Sequence, residues 1–126
     1  MLEINLSARC FPTEDRQAIA GAITNLFPDA VIRGDEIIEA VSASLETFAE
    51  QLKKQRIRDA ARAVMRRGLR GGSTSFKLNK QVATVGKISF SEESHPLEDI
   101  EVTISSDDIE SLISSIAPDT RGGVKR

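Results

Sequence analysis

The stretch AVIRGDEIIEAVSA, residues 30–43, decides the fold. Residues 30–33 and 36–43 are apolar and β-branched around Gly34-Asp35, a dipeptide suited to a tight reversal, so the pattern predicts a hairpin. A hairpin makes its two strands antiparallel, whereas a βαβ unit would need a helical crossover at this point. Upstream, residues 2–9 alternate with Leu2, Ile4, Leu6 and Ala8 on one side, the period of a strand with one buried face. Phe11-Pro12-Thr13-Glu14-Asp15 predicts a helix start, with Thr13 as the cap and Glu14 and Asp15 where the helix dipole favours negative charge. Ile19, Ala22, Ile23 and Leu26 supply that helix's apolar face, and Pro28 lies where it must end.

Downstream of the hairpin, Leu45, Phe48, Ala49 and Leu52 recur at helical spacing, followed by Ile57, Ala60, Ala61, Val64 and Met65. The two series fit one long helix or two abutting ones with a break near Gln55. Gly68 or Gly71 is expected to terminate it. Residues 73–80 and 84–90 predict strands, and Ile100, Val102 and Ile104 a final one. Ser105 and Asp108 match a capping box ahead of a helix with Ile109, Leu112, Ile113 and Ile116 on its apolar face. The expectation is an α+β fold, a single-domain two-layer sandwich over residues 1–118, with a mostly antiparallel sheet and helices on one face. A mobile polar tail is expected over 119–126.

The chain has 126 residues, 40% of them hydrophobic and 29% charged, which suits one domain. No apolar run approaches the ~18 residues needed to span a bilayer, and Met-Leu-Glu-Ile-Asn lacks the basic and long apolar regions of a secretion signal. A cytoplasmic protein with no membrane partner is therefore expected. One cysteine and one histidine leave no basis for a disulfide scaffold or a zinc finger, and neither a metal nor another cofactor is implied. The formal charge of −2 conceals a segregation. Residues 51–90 hold eleven cations and a single acid, Asp59, while the rest of the chain holds six cations and eighteen acids. Such a patch attracts polyanions locally, because screening weakens repulsion from acids more than ~10 Å away.

Lys54, Arg58, Arg62 and Arg66 are spaced four apart and would form one basic stripe on a continuous helix, beside Arg67 and Arg70. Like charges at that spacing cost about 0.2–0.5 kcal/mol per pair unless acids or a polyanion neutralise them. The competing reading is a solvated face whose arginines pair with acids elsewhere. Arginine outnumbers lysine six to two over residues 53–70, which suits bidentate contact with phosphates. Arg70-Gly71-Gly72-Ser73 is not followed by the Gly-Lys-Ser/Thr of a phosphate loop. Lys77, Asn79, Lys80, Gln81 and Lys87 are candidates to extend the basic surface, Asn79-Lys80-Gln81 as a polar break in a strand and otherwise as a turn or bulge. Phe76 and Phe90 fit a core better than a stacking surface. No catalytic constellation stands out. His95 sits in an acidic loop without a nucleophile, Cys10 has no clear activator, and Glu98, Asp99 and Glu101 match no calcium loop.

FPTED at 11–15, NLFPD at 25–29, QRIRDAAR at 55–62, LNKQVA at 78–83 and APDTRGG at 117–123 occur in that order. Through these motifs nearly the whole chain resembles the small archaeal proteins of uncharacterised protein family 0201. One departure is Val82, where alanine is commoner. The resemblance implies a fold similar to the large-subunit ribosomal protein that contacts 5S RNA, a role in RNA binding and no established reaction. The family's dimers make a homodimer a further expected partner. RNA binding through the basic stripe is thus the leading expectation. The alternatives are a small nucleotide- or phosphate-binding protein or enzyme, and an interaction module for an acidic partner.

Overall fold

The alternating residues of the amino-terminal stretch form β1 (Glu3–Arg9), which lies inside the sheet with a partner on each side. In the computed structural model, which describes residues 2–91 and 99–118, the chain continues through α1 (Arg16–Leu26), β2 (Val31–Arg33), β3 (Ile37–Ser42), α2 (Glu46–Gln55) and α3 (Arg58–Arg67). Then follow β4 (Leu69–Arg70), β5 (Ser73–Asn79), α4 (Lys80–Ala83), β6 (Asp99–Ser105) and α5 (Ile109–Ile116). The six strands form one sheet in the order β2-β3-β1-β6-β5-β4, with every pairing antiparallel. The α+β single-domain sandwich read from the hairpin is the architecture found. His95, Glu98 and the tail over 119–126 lie outside the described residues.

Register sorts the side chains. Ile4, Leu6 and Ala8 of β1 lie opposite Ser42, Ala40 and Ile38 on one side and Ile104, Val102 and Ile100 on the other. All nine are buried, so one face of the sheet is a continuous floor for the core. The helices close it: Ile19, Ala22, Ile23 and Leu26 from α1, Phe48 and Leu52 from α2, Ala61 and Met65 from α3, and Ile109 and Ile113 from α5 join the same cluster. The opposite face carries Asn5, Ser7, Glu39, Val41, Lys77, Glu101 and Thr103, and no helix of the described residues covers it.

Three local expectations change, and the choice between Gly68 and Gly71 as helix terminator is resolved. Asp15, not Thr13, caps α1 by accepting from the Gln17 amide at 3.0 Å, and Glu14 turns back to accept from the Phe11 amide. Asp108, not Ser105, caps α5 by accepting from the Ser111 amide. Residues 84–90 do not form a strand. The Asn79 side chain accepts from the Val82 amide and starts the single turn α4, and Gly86 at φ 77 reverses the chain. The returning segment meets β5 only at its end, through a bridge between Leu78 and Phe90 and backbone bonds Asn79 to Ser89 and Ser91 to Lys77. Gly71, at φ 60, belongs to the two-residue turn between β4 and β5, which pair Leu69 with Thr74 and Arg70 with Ser73. Helix termination falls to Gly68, the residue that follows α3. A Cβ there would stand 2.1 Å from the Ser75 carbonyl oxygen, so α3 can pass onto the sheet only with glycine at this point.

Candidate nucleic-acid interface

The basic segment folds as two helices. After α2, Arg56 adopts a left-handed conformation at φ 59, its amide donates to the Lys53 carbonyl, and the Ile57 amide donates to the Leu52 carbonyl. These two bonds are the Schellman arrangement that ends helices, with Ile57 packed against the core as its apolar partner. The break separates Lys54 from Arg58, so the stripe with four-residue spacing is confined to Arg58, Arg62 and Arg66 within α3. Ala61 and Met65 point that helix inward. At 3.6 residues per turn Arg58 and Arg62 then fall on one flank, partly buried, while Arg66 and Arg67 face outward. Lys53, Lys54 and Arg70 are also exposed. Among the described residues no ion pair engages Lys53, Lys54, Arg58, Arg66, Arg67 or Arg70.

The other candidates divide. Lys87 is exposed and is brought to the basic helices, because its neighbour Ile88 is clamped by Gln55: the Ile88 amide donates to Gln55 Oε1 at 2.7 Å, and Gln55 Nε2 donates to the Ile88 carbonyl at 2.8 Å. Gln81 is exposed on α4, which packs beside α1 rather than α3. Lys77 alternates with the buried Phe76 and Leu78 and so lies on the open face of the sheet, opposite Glu101 of β6. Asn79 is occupied as the cap of α4.

Lys80 was expected to reach outward, and instead it is 1% exposed. Its Nζ donates to the Arg9 carbonyl at 2.8 Å and to Glu14 Oε1 at 3.0 Å, and lies 5.7 Å from the centre of the Phe11 ring. The reason is the turn at Asn79, which breaks strand alternation and aims the next side chain under the amino-terminal segment. An internal ammonium with these partners holds two segments together and is not available to a ligand.

Sequence reasoning missed the residues that fix this region. Asn25 Nδ2 donates to the Ala83 carbonyl at 3.0 Å, which also accepts from the Gly86 amide, and to the Thr84 carbonyl at 3.2 Å, pinning the end of α4 to α1. Asp29 accepts from Ser42 Oγ and from the Ala43 amide, and these bonds hold its carboxyl below the usual aspartate range. Glu14, Asn25, Asp29 and Gln55 all fall inside the quoted motifs, which was the one available signal; spacing along the chain gives none, since these long-range partners are 13 to 66 residues away.

Three hollows lie away from α2 and α3. One of about 340 Å³ on the open sheet face is lined by Asn5, Ser7, Arg33, Glu39, Val41 and Glu101 among others. One of about 380 Å³ lies between Phe11 and Ile37, and one of about 230 Å³ borders Glu14 and Lys80. None of the three is lined by a residue of the basic helices. Among the described residues no helix is long and apolar enough to cross a membrane.

A family model described as RNA binding matches residues 3–106. A UPF0200/UPF0201 protein of Archaeoglobus fulgidus is 39% identical over 126 residues, which cover 97% of this chain and 39% of that protein; the chain spans well under half the length of that relative. A UPF0201 protein of Methanocaldococcus jannaschii is 37% identical over 130 residues, covering 98% of this chain and 76% of that protein. Among solved structures, an uncharacterized UPF0201 protein superposes with a TM-score of 0.89 at 37% identity, over 96% of this chain and 97% of the other.

Proposed function

The chain belongs to the UPF0201 family, which an RNA-binding family model spans here, and we propose that it binds RNA by gripping phosphates with Arg58, Arg62, Arg66, Arg67 and Arg70, assisted by Lys54 and Lys87. The observation that carries the proposal is that Lys54, Arg58, Arg66, Arg67 and Arg70, on α2, α3 and β4, make no ion pair among the described residues. The two helices carry Glu46, Glu50 and Asp59 against Lys53, Lys54, Arg58, Arg62, Arg66 and Arg67, too few acids to balance the cations of the same surface. Repulsion along Arg58, Arg62 and Arg66 costs about 0.2–0.5 kcal/mol for each pair, and a polyanion relieves it. The reading excludes Lys80, Asn79 and Lys77 from the phosphate-binding set, since they are respectively internal, a helix cap and on the far face. A compact phosphate ligand is a weaker reading, because the hollows lie elsewhere.

The test is the salt dependence of RNA binding, with reversal of the outward arginines. Contact with about four phosphates gives a slope of log affinity against log salt between about −3 and −4. Arg66→Glu with Arg67→Glu, both at exposed positions, should leave the circular dichroism spectrum unchanged and reduce the slope by about one per lost contact. A slope near zero, or unchanged affinity in that variant, overturns the assignment.

A further inference from the structure

We propose that the ligand of this surface is double-helical RNA, held through its backbone without reading of bases, an inference that rests on the RNA-binding reading above. Three observations carry it.

The first is where the rings are. The chain has five phenylalanines and neither tryptophan nor tyrosine. Phe27, Phe48 and Phe76 stack inside the core with ring centres 5.4 and 5.8 Å apart, and Phe90 meets Phe76 edge-on at 5.7 Å. Phe11 is half-buried beside Arg9 and Lys80. Among the described residues no ring is fully exposed: Phe11 and Phe90 are partly buried and the other three are buried. Proteins that hold single strands draw much of their affinity from bases stacked on exposed rings, and sequence-specific recognition of RNA loops uses the same device. Among the described residues this surface offers mainly cations and no exposed ring.

The second is rigidity. Arg58, Arg62 and Arg66 are anchored on one helix at steps of about 6 Å along its axis, with Arg67 next to the last of them. A fixed row of cations fits a fixed row of phosphates. A duplex presents such a row already ordered, whereas a flexible strand must be ordered on binding and loses affinity for it.

The third is shape and sign. The hollows of about 340, 380 and 230 Å³ among the described residues are lined by elements other than the basic helices. On the open sheet face Arg33 pairs with Glu39 and Lys77 stands opposite Glu101, so that face offers a polyanion no excess of cations. What remains is an outward-facing basic helix, suited to phosphates and 2′-hydroxyls along the outside of a duplex.

The experiment is fluorescence anisotropy on the full chain with an RNA duplex of roughly 20 base pairs, longer than the ~16 that a two-groove duplex binder spans. The comparison is a single strand of equal length without self-complementarity, at matched salt. The duplex should bind at least about tenfold more tightly, with a steeper salt slope because each phosphate contact counts about 0.9 on a duplex and about 0.7 on a single strand. Two duplexes of unrelated sequence should agree within about twofold, since no base is read. A single strand that binds as well as the duplex or better overturns this inference and leaves the RNA-binding reading standing. Binding to neither overturns both. Duplex binding undiminished in the Arg66→Glu, Arg67→Glu protein overturns the placement of the duplex on α3.

Discussion

Replacing Lys80 with methionine keeps most of the side-chain volume and removes only the ammonium group. In the parent protein that group is 1% exposed and donates to the Arg9 carbonyl at 2.8 Å and to Glu14 Oε1 at 3.0 Å. Removing one partner of a fully buried pair costs about 3–5 kcal/mol, since the other charge stays behind unpaired. The Glu14 side chain keeps 20% exposure, which places the cost near the lower end, about 3 kcal/mol including the carbonyl left without a donor. Stability of a domain this size totals about 5–15 kcal/mol. At roughly 3–5 °C per kcal/mol the midpoint should fall by about 10–15 °C. Thermal unfolding followed by circular dichroism measures this, with RNA affinity taken well below both midpoints and expected to match the parent. Adding Glu14→Leu should recover part of the loss by removing the stranded carboxylate; recovery is incomplete because Glu14 also accepts from the Phe11 amide at 3.0 Å. A Lys80→Met protein within about 1 kcal/mol of the parent, or one that keeps its midpoint and loses RNA affinity, would refute the interior role of this lysine.

Other outcomes follow from the same geometry. Arg56→Gly should raise stability by about 0.5–1 kcal/mol in urea titrations, because glycine adopts the left-handed conformation without the Cβ penalty. Gly68→Ala should cost about 3 kcal/mol by the same measurement, since the new Cβ meets the Ser75 carbonyl at 2.1 Å and neither α3 nor β5 can retreat freely. Asn79→Ala should cost about 1 kcal/mol through loss of the α4 cap and leave RNA affinity unchanged, in contrast to the arginine reversals. Asp29 gives the pH dependence. Its folded pKa is lowered by Ser42 and Ala43, so its contribution is complete above the unfolded value near 3.8 and is lost as pH falls through the lower folded value. Urea midpoints measured at about pH 6 and about pH 3 should therefore differ less in Asp29→Asn than in the parent.

The antiparallel sheet was legible because its strands carry strict alternation: one register shift would turn Ile4, Leu6 and Ala8 out to solvent, so pattern and pairing had to agree. Helix ends were less legible. Thr13, Glu14 and Asp15 are all chemically able to cap a helix, and the choice of Asp15 rests on Glu14 being drawn back to Phe11 and Lys80. The strand expected over residues 84–90 failed for a similar reason. Its pattern is apolar and β-branched, yet Asn25 and Gln55 hold that segment from helices far away in the chain. The basic surface was legible as a charge count and only partly as a place.

By itself the sequence determined the fold class, the segregation of cations into residues 51–90 and the absence of tryptophan and tyrosine, because periodicity, charge and composition are local or additive. Tertiary structure decided which cations share a surface. Lys54 and Arg58 are parted by a left-handed residue, Lys77 is carried to the far face by strand alternation, and Lys87 is drawn in by a glutamine. Lys80 shows the difference most sharply: its charge is plain in the sequence, but its partner is 66 residues away, and only the folded chain takes it out of water and binds it there.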